Sequence, residues 1–271
     1  MSWIALQPSD PLLDRARNGD AAALEQLLVS IAPAVHRFGL RMCGSDSDAQ
    51  DVLQETLISI ATHVSRFEGK SALSSWVFAL ARNACIKKRR GRKNQQHLGQ
   101  KAIEAQSASA SSPEQRAENR ELWEVLTRAL DGLPEQYREA VVLRDIEGLS
   151  AAQAAGALGI SVDALKSRLH RAREALRKEL MPLLEPRAPA PSAQCPDMAT
   201  LWSRKLEGDL DKQDCAEIEK HVAECPACGA ICDALKKALL ACQSSATAEI
   251  RPEVQAQVKA AMRALTGLGG T

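Results

Sequence analysis

At 271 residues the chain is long enough for two or three small domains, and 45% of it is apolar, mostly Ala and Leu, with only 3% aromatic. The strand formers are too sparse for a sheet-based core, so the expected fold class is all-α. Formal charge is +1, but Arg82–Lys93 and Lys166–Lys178 are locally basic, as two contacts with a polyanion would require.

In chain order, the first predicted helix has the apolar period Leu24, Leu27, Leu28, Ile31 and Val35. A second is expected to start near Ser47 as its cap and to bury Val52, Leu57 and Ile60. Asp51, Gln54 and Glu55 then lie side by side on its outer face. A third helix follows Phe67-Glu68-Gly69-Lys70, with Leu73, Val77, Leu80 and Ala84 as its buried stripe, and ends in Lys87, Lys88, Arg89 and Arg90. Trp76 on it is read as core. Residues 95–112 are rich in Ser, Ala and Gln and read as a flexible linker.

Residues 113–182 carry the sharper pattern. Ser150 is placed to cap a short helix over Ala151–Leu158, Gly159 makes a turn, and Ser161 caps the next helix. This is helix-turn-helix spacing. In the last helix Val162, Leu165, Leu169, Ala172 and Leu176 form one stripe, opposed by Asp163, Ser167, His170 and Arg171. The stretch Pro182–Gln194 holds four prolines and reads as an extended spacer, giving a linker over 183–194.

Six of the eight cysteines follow residue 194. His221 and Cys225 are one helical turn apart, and Cys225-Pro226-Ala227-Cys228 is the tight knuckle of two thiolates used for zinc. Cys43 and Cys85 are read as small buried hydrophobes and Cys242 as a bystander. Glu253–Leu265 has the period of an amphipathic helix. Met1–Pro11 lacks a basic start followed by an apolar stretch, and no apolar run approaches the roughly 20 residues of a membrane span. A cytoplasmic protein with no membrane contact is expected, and there clustered cysteines more often bind metal or react than form structural disulfides.

Residues 10–182 resemble the extracytoplasmic-function (ECF) sigma factors of the sigma-70 family. AQDVLQETLISI, SRFEGKSALSSWVFALARNACI and the basic tail resemble the σ2 domain, within residues 1–94. LPEQYREAVVLRDIEGLS and GISVDALKSRLHRAREAL resemble the promoter-binding σ4 domain. Ala151-Ala152-Gln153-Ala154 departs from the acidic, more apolar helix start usual there. Cys195 followed by His221-x3-Cys225-x2-Cys228 resembles the zinc-binding anti-sigma domain, a small helical zinc-finger-like module expected over residues 195–271.

The resemblance implies roles. Asp51, Gln54 and Glu55 would dock on core RNA polymerase. Asn83, Lys87 and Lys88 would meet the −10 element. Lys166, Ser167, His170 and Arg171 would reach the −35 element of promoter DNA, with Arg173 and Arg177 on phosphates. Cys195, His221, Cys225 and Cys228 would bind Zn²⁺, exchangeable for another soft ion, with Cys215 and Cys232 as switch thiols. The Cys-rich domain would contact σ2 and σ4 within the same chain. The expected function is therefore a non-enzymatic alternative sigma factor regulated in cis. A stand-alone metal-sensing repressor would not need the σ2-like block, and a thiol oxidoreductase would need a βαβ pattern that the chain lacks.

Overall fold

The computed structural model describes residues 10–92, 125–184, 189, 191–244 and 256, and no strand occurs among them. Apart from Ala256, which is helical, the predicted helix over Glu253–Leu265 lies outside the described residues, as do the linker over 95–112 and the side chain of Cys242. The described helices fall into two compact units, one lying within residues 10–92 and 152–161, the other within 125–151 and 162–244.

The first unit starts with α1 (Pro11–Arg17), whose first turn is capped by Asp10 with Pro at the first helical position. Asp20 caps α2 (Ala21–Cys43) by accepting from the Ala23 amide at 3.0 Å, and Gly44, at φ +73°, ends it. The next helix, α3 (Asp46–His63), is capped by Ser45 and not by Ser47: the Ser45 hydroxyl accepts from the Asp48 amide at 3.2 Å. The sequence placed the cap two residues late because both serines are good caps, and the left-handed turn at Gly44 selects the earlier one. After a short turn comes α4 (Leu73–Arg92), which carries the basic tail.

Leu27, Leu28, Ile31, Val35 and Phe38 of α2 meet Val52, Leu57 and Ile60 of α3 and Val77, Phe78 and Ala81 of α4 in one core. The rings of Phe38 and Phe78 lie 5.5 Å apart at 59°. Trp76 is half-buried and packs on Phe67 at 5.3 Å. Helices α2 and α3 approach closely at Gly39, where an added Cβ would stand 3.0 Å from the Ala49 Cα. Gly39→Ala should therefore cost about 1–3 kcal/mol through overpacking against rigid backbone. Chemical denaturation would measure this, and an unchanged midpoint would contradict it. The short helix α7 (Ala151–Leu158) is grouped with this unit, and the Ser75 hydroxyl donates to the Gln153 carbonyl at 2.8 Å.

In the second unit, α5 (125–132) precedes α6 (Glu135–Val141), which continues into one π-helical turn over Val142–Ile146. Gly159, at φ +66°, turns the chain from α7 to α8 (Val162–Leu184). Along α8, Leu165, Leu169, Ala172, Leu176 and Leu180 are buried in one stripe. Beyond the Pro-rich stretch come α9 (Met198–Leu206), capped by Asp197, α10 (Lys212–Glu224), capped by Asp211, and α11 (Pro226–Ser244).

The Pro-rich stretch over 183–194 does not separate two independent bodies. Met198, Cys228, Ile231, Cys232 and Leu235 form a buried cluster, and Met181 of α8 packs on it with Leu201, Trp202, Ile218 and Val222. The Cys-rich segment thus shares its core with the end of the helix-turn-helix block.

Candidate metal centre and nucleic-acid interface

The α9–α11 arrangement brings four donors together. Cys195 lies just before α9, His221 sits in the last turn of α10, and Cys225 ends α10 with its amide bonded to the His221 carbonyl at 2.9 Å. Pro226 then starts α11, turning Cys228 back toward the same point. One donor atom from each of Cys195, His221, Cys225 and Cys228 lies within 4.8 Å of all the others. The Cys195 and Cys225 sulfurs are 3.7 Å apart, and His221 Nε2 is 3.2 Å from the Cys228 sulfur.

Tetrahedral coordination at about 2.3 Å to sulfur and about 2.0 Å to nitrogen gives edges of roughly 3.5–3.8 Å, so the donor set fits a zinc ion in type, and the Cys195–Cys225 separation of 3.7 Å matches such an edge. The thiols are not equivalent. The Ser192 hydroxyl, helped by Cys228 and Cys225, lowers Cys195 to about 6, whereas burial first, then its two neighbouring thiols, pushes Cys228 up to about 12. A crowd of thiols ionises one at a time, and a divalent cation among them would reverse that preference.

Cys215 and Cys232 are not among the four. Cys215 is half-buried on α10. Cys232 is 4% exposed within the apolar cluster, and burial, opposed by Lys236, raises its thiol above the ordinary range.

The residues joining this centre to α8 were missed in the sequence. Arg173, read there as a phosphate anchor, is 7% exposed and enclosed. Its guanidinium donates to both carboxylate oxygens of Asp145 at 2.9 and 2.6 Å, to Glu207 at 2.8 Å and to the Ser203 hydroxyl at 3.0 Å. Burial works against its charge, but Asp145 and then Glu207 outweigh that and raise its pKa further. Arg144, beside Asp145 in the π-helical turn, donates to Glu207 at 3.2 Å and to the Leu206 carbonyl at 3.3 Å. The Glu207 side chain, 2% exposed, is held between two arginines. One residue past the Gly208 break, Asp209 pairs with Lys166.

Of the predicted −35 readers, Lys166 is therefore engaged by Asp209. His170 is half-buried, and the pKa of Asp197 is lowered chiefly by the hydrogen bond it accepts from the Thr200 hydroxyl at 2.6 Å. Arg171 reaches the Tyr137 hydroxyl at 3.3 Å, and Ser167 is exposed. Arg177 is half-buried.

In the first unit, residues read as two separate surfaces are joined. Lys87 donates to Glu55 at 2.6 Å and Lys88 pairs with Asp51, while Gln54 and Asn83 are exposed. Helices α3 and α4 run side by side, so the acidic and basic faces meet along one seam. Hydrogen bonding to Asp51, opposed by some burial, raises the Lys88 pKa.

Known families match in the same order along the chain. The Sigma-70 region 2 family matches residues 27–95, the Sigma-70 region 4 family residues 123–176, and a zinc-finger family residues 195–229. The ECF RNA polymerase sigma factor SigE of Mycolicibacterium smegmatis is 33% identical over 186 residues, which cover 66% of this chain and 71% of the relative. The chain belongs to the ECF sigma factor family. ECF sigma-E of Escherichia coli is 31% identical over 182 residues, covering 64% of this chain and 94% of that factor. SigW of Bacillus subtilis is 27% identical over 179 residues, covering 63% and 96%. In this sigma factor, region 2 contains the Asp51–Lys88 and Glu55–Lys87 pairs, and region 4 contains the helix-turn-helix. All four donors fall inside the zinc-finger match, whereas Cys232 and Cys242 lie beyond it.

Proposed function

We propose that this sigma factor directs promoter-specific initiation by core RNA polymerase in the cytoplasm, and that its own Cys-rich segment restrains it through a metal ion. The observation that carries the regulatory part is the pairing of Glu207 and Asp209 with Arg144, Arg173 and Lys166. Acidic residues of the Cys-rich segment occupy cationic groups of region 4. The partly exposed Asp209 competes with a phosphate or base edge for Lys166. Cys195, His221, Cys225 and Cys228 would hold zinc, which when bound supplies a fixed tetrahedral link between the start of α9 and the α10–α11 corner. Softer ions compete well for three thiolates, so Cu⁺ or Cd²⁺ entering this set would alter the corner and with it the position of Glu207 and Asp209.

Lys166, Ser167, His170 and Arg171 would read the −35 element, and Asn83, Lys87 and Lys88 the −10 element. Asp51, Gln54 and Glu55 would dock on core polymerase. The ion pairs of Asp51 and Glu55 are surface pairs that exchange readily for intermolecular ones, each worth about 0–1 kcal/mol. Among the described residues no helix is long and apolar enough to cross a membrane.

For the docking assignment, Asp51→Arg with Glu55→Arg should abolish holoenzyme formation while lowering unfolding stability by no more than about 2 kcal/mol, because both positions are solvent-facing. Gel filtration with core polymerase alongside a denaturation curve measures both. A double variant that still forms holoenzyme overturns the docking face.

The regulatory proposal is tested by run-off transcription with core polymerase and the full chain, comparing zinc-loaded protein with Cu⁺- or Cd²⁺-treated protein. Output that rises on treatment supports it. Identical output in every metal state refutes it.

A further inference from the structure

The sequence treats Cys43 and Cys85 as unrelated fillers of a helical core. The fold makes them neighbours. Cys43 is the last residue of α2, Cys85 lies in α4, and their sulfurs are 3.0 Å apart although 42 residues separate them in the chain. Both are buried, Cys43 at 8% exposure and Cys85 at 1%. A disulfide of about 2.05 Å needs a further approach of about 1 Å from this distance. Neither thiol belongs to the four-donor metal centre, and no part of the docking or DNA-reading assignment uses them.

We propose that Cys43 and Cys85 form a reversible dithiol–disulfide site in region 2, with a hydroperoxide as the oxidant class. The Cys43 sulfur, the more exposed of the two, attacks one oxygen of the hydroperoxide. An S–O bond forms, the O–O bond breaks, and the second oxygen leaves as water or an alcohol after taking a proton. The Cys85 sulfur then attacks the Cys43 sulfur, so that an S–S bond forms, the S–O bond breaks and water leaves with the remaining proton. The two sulfurs together lose two electrons and the peroxide gains them. A dithiol reductant reverses the change through a mixed disulfide. Low exposure makes the forward reaction slow, which suits sustained oxidation and not a brief pulse.

The bond would tie the end of α2 to the middle of α4, two residues before Lys87. It would close a long loop in the unfolded chain, and such loops give the larger stabilisations. The disulfide form should therefore melt at a temperature higher by on the order of 10 °C in the transition that reports region 2.

The test uses the full zinc-loaded chain, exposed to hydrogen peroxide, then denatured, alkylated and digested for mass spectrometry. The expected result is one linked species containing Cys43 and Cys85, lighter by two hydrogens than the separate peptides and split by dithiothreitol. The melting shift should accompany it and be absent from Cys43→Ala and Cys85→Ala proteins treated alike. Recovery of both cysteines as separately alkylated peptides, or as individual sulfinic acids, overturns the proposal whether or not the alanine variants fold.

Discussion

Replacing Cys228 with Ser is expected to remove bound zinc and to collapse α9–α11 as an ordered unit. Cys228 is fully buried, at the centre of both the donor group and the apolar cluster. Among the described residues of α9–α11 that cluster is small, and α10 buries none of its residues completely. Small domains of this kind rely on a staple, and structural zinc sites supply apparent binding free energies of about 10–16 kcal/mol near neutral pH. The loss should appear as a drop in helical circular dichroism and as zinc content falling from one equivalent to none. Chelation of the parent should reproduce both changes. The pH dependence has a definite sign: Cys228, pushed up to about 12 without a cation, must give up its proton when it ligates. Zinc affinity should therefore weaken as pH falls, and uptake at neutral pH should release protons. A Cys228→Ser protein that keeps one equivalent of zinc and its helicity would contradict the ligand set.

Glu207→Ala is the second large effect. Its carboxylate is 2% exposed and is shared by Arg144 and Arg173, and Asp145 is the other acid bonded to Arg173 among the described residues. Removing one partner from such a cluster leaves a buried cation under-compensated, which costs about 3–5 kcal/mol. The chain can avoid that cost by letting the Cys-rich segment detach, since Arg173 keeps both bonds to Asp145 within region 4. Hydrogen exchange should therefore accelerate over Met198–Leu206 and around Asp209, while Leu165–Leu176 stays protected. Affinity for a −35 duplex should rise, because Lys166 loses Asp209 as a partner. Uniform loss of protection across α8 would mean that Glu207 supports the region 4 fold itself and does not act as a restraint.

What the sequence disclosed follows from the range of the interactions concerned. The helix-turn-helix was legible because Gly159 and the apolar period of α8 are local signals, and the chain does turn there at positive φ. The spacing His221-x3-Cys225-x2-Cys228 gave three donors from helical geometry, and the family resemblance supplied Cys195; the fold brings all four together. Ser47 is a good cap by residue type, but Ser45, of the same type and directly after the left-handed turn at Gly44, is the residue that caps α3. Arg173 looked like a phosphate contact because basic residues on a polar helix are usually solvated. Its partners Asp145 and Glu207 lie 28 and 34 residues away, and no local pattern announces them. The π-helical turn that presents Arg144 and Asp145 has no residue signature at all. The packing of Met181 against the Cys-rich core was hidden by the Pro-rich composition between them, which does not limit where the chain goes next. Cys43 and Cys85 were each placed in the core correctly, but contact between them depends on how α2 and α4 cross.

Restraint of region 4 by the Cys-rich segment of the same chain would be read in quantitative promoter binding. Holoenzyme made with zinc-loaded protein is compared with holoenzyme made with the Glu207→Ala, Asp209→Ala double variant on one promoter at fixed salt, since phosphate contacts make affinity salt-dependent. The expected result is tighter binding by the variant, with a steeper dependence of affinity on salt as Lys166 becomes free to meet a phosphate. Equal or weaker binding, with an unchanged salt slope, would contradict it.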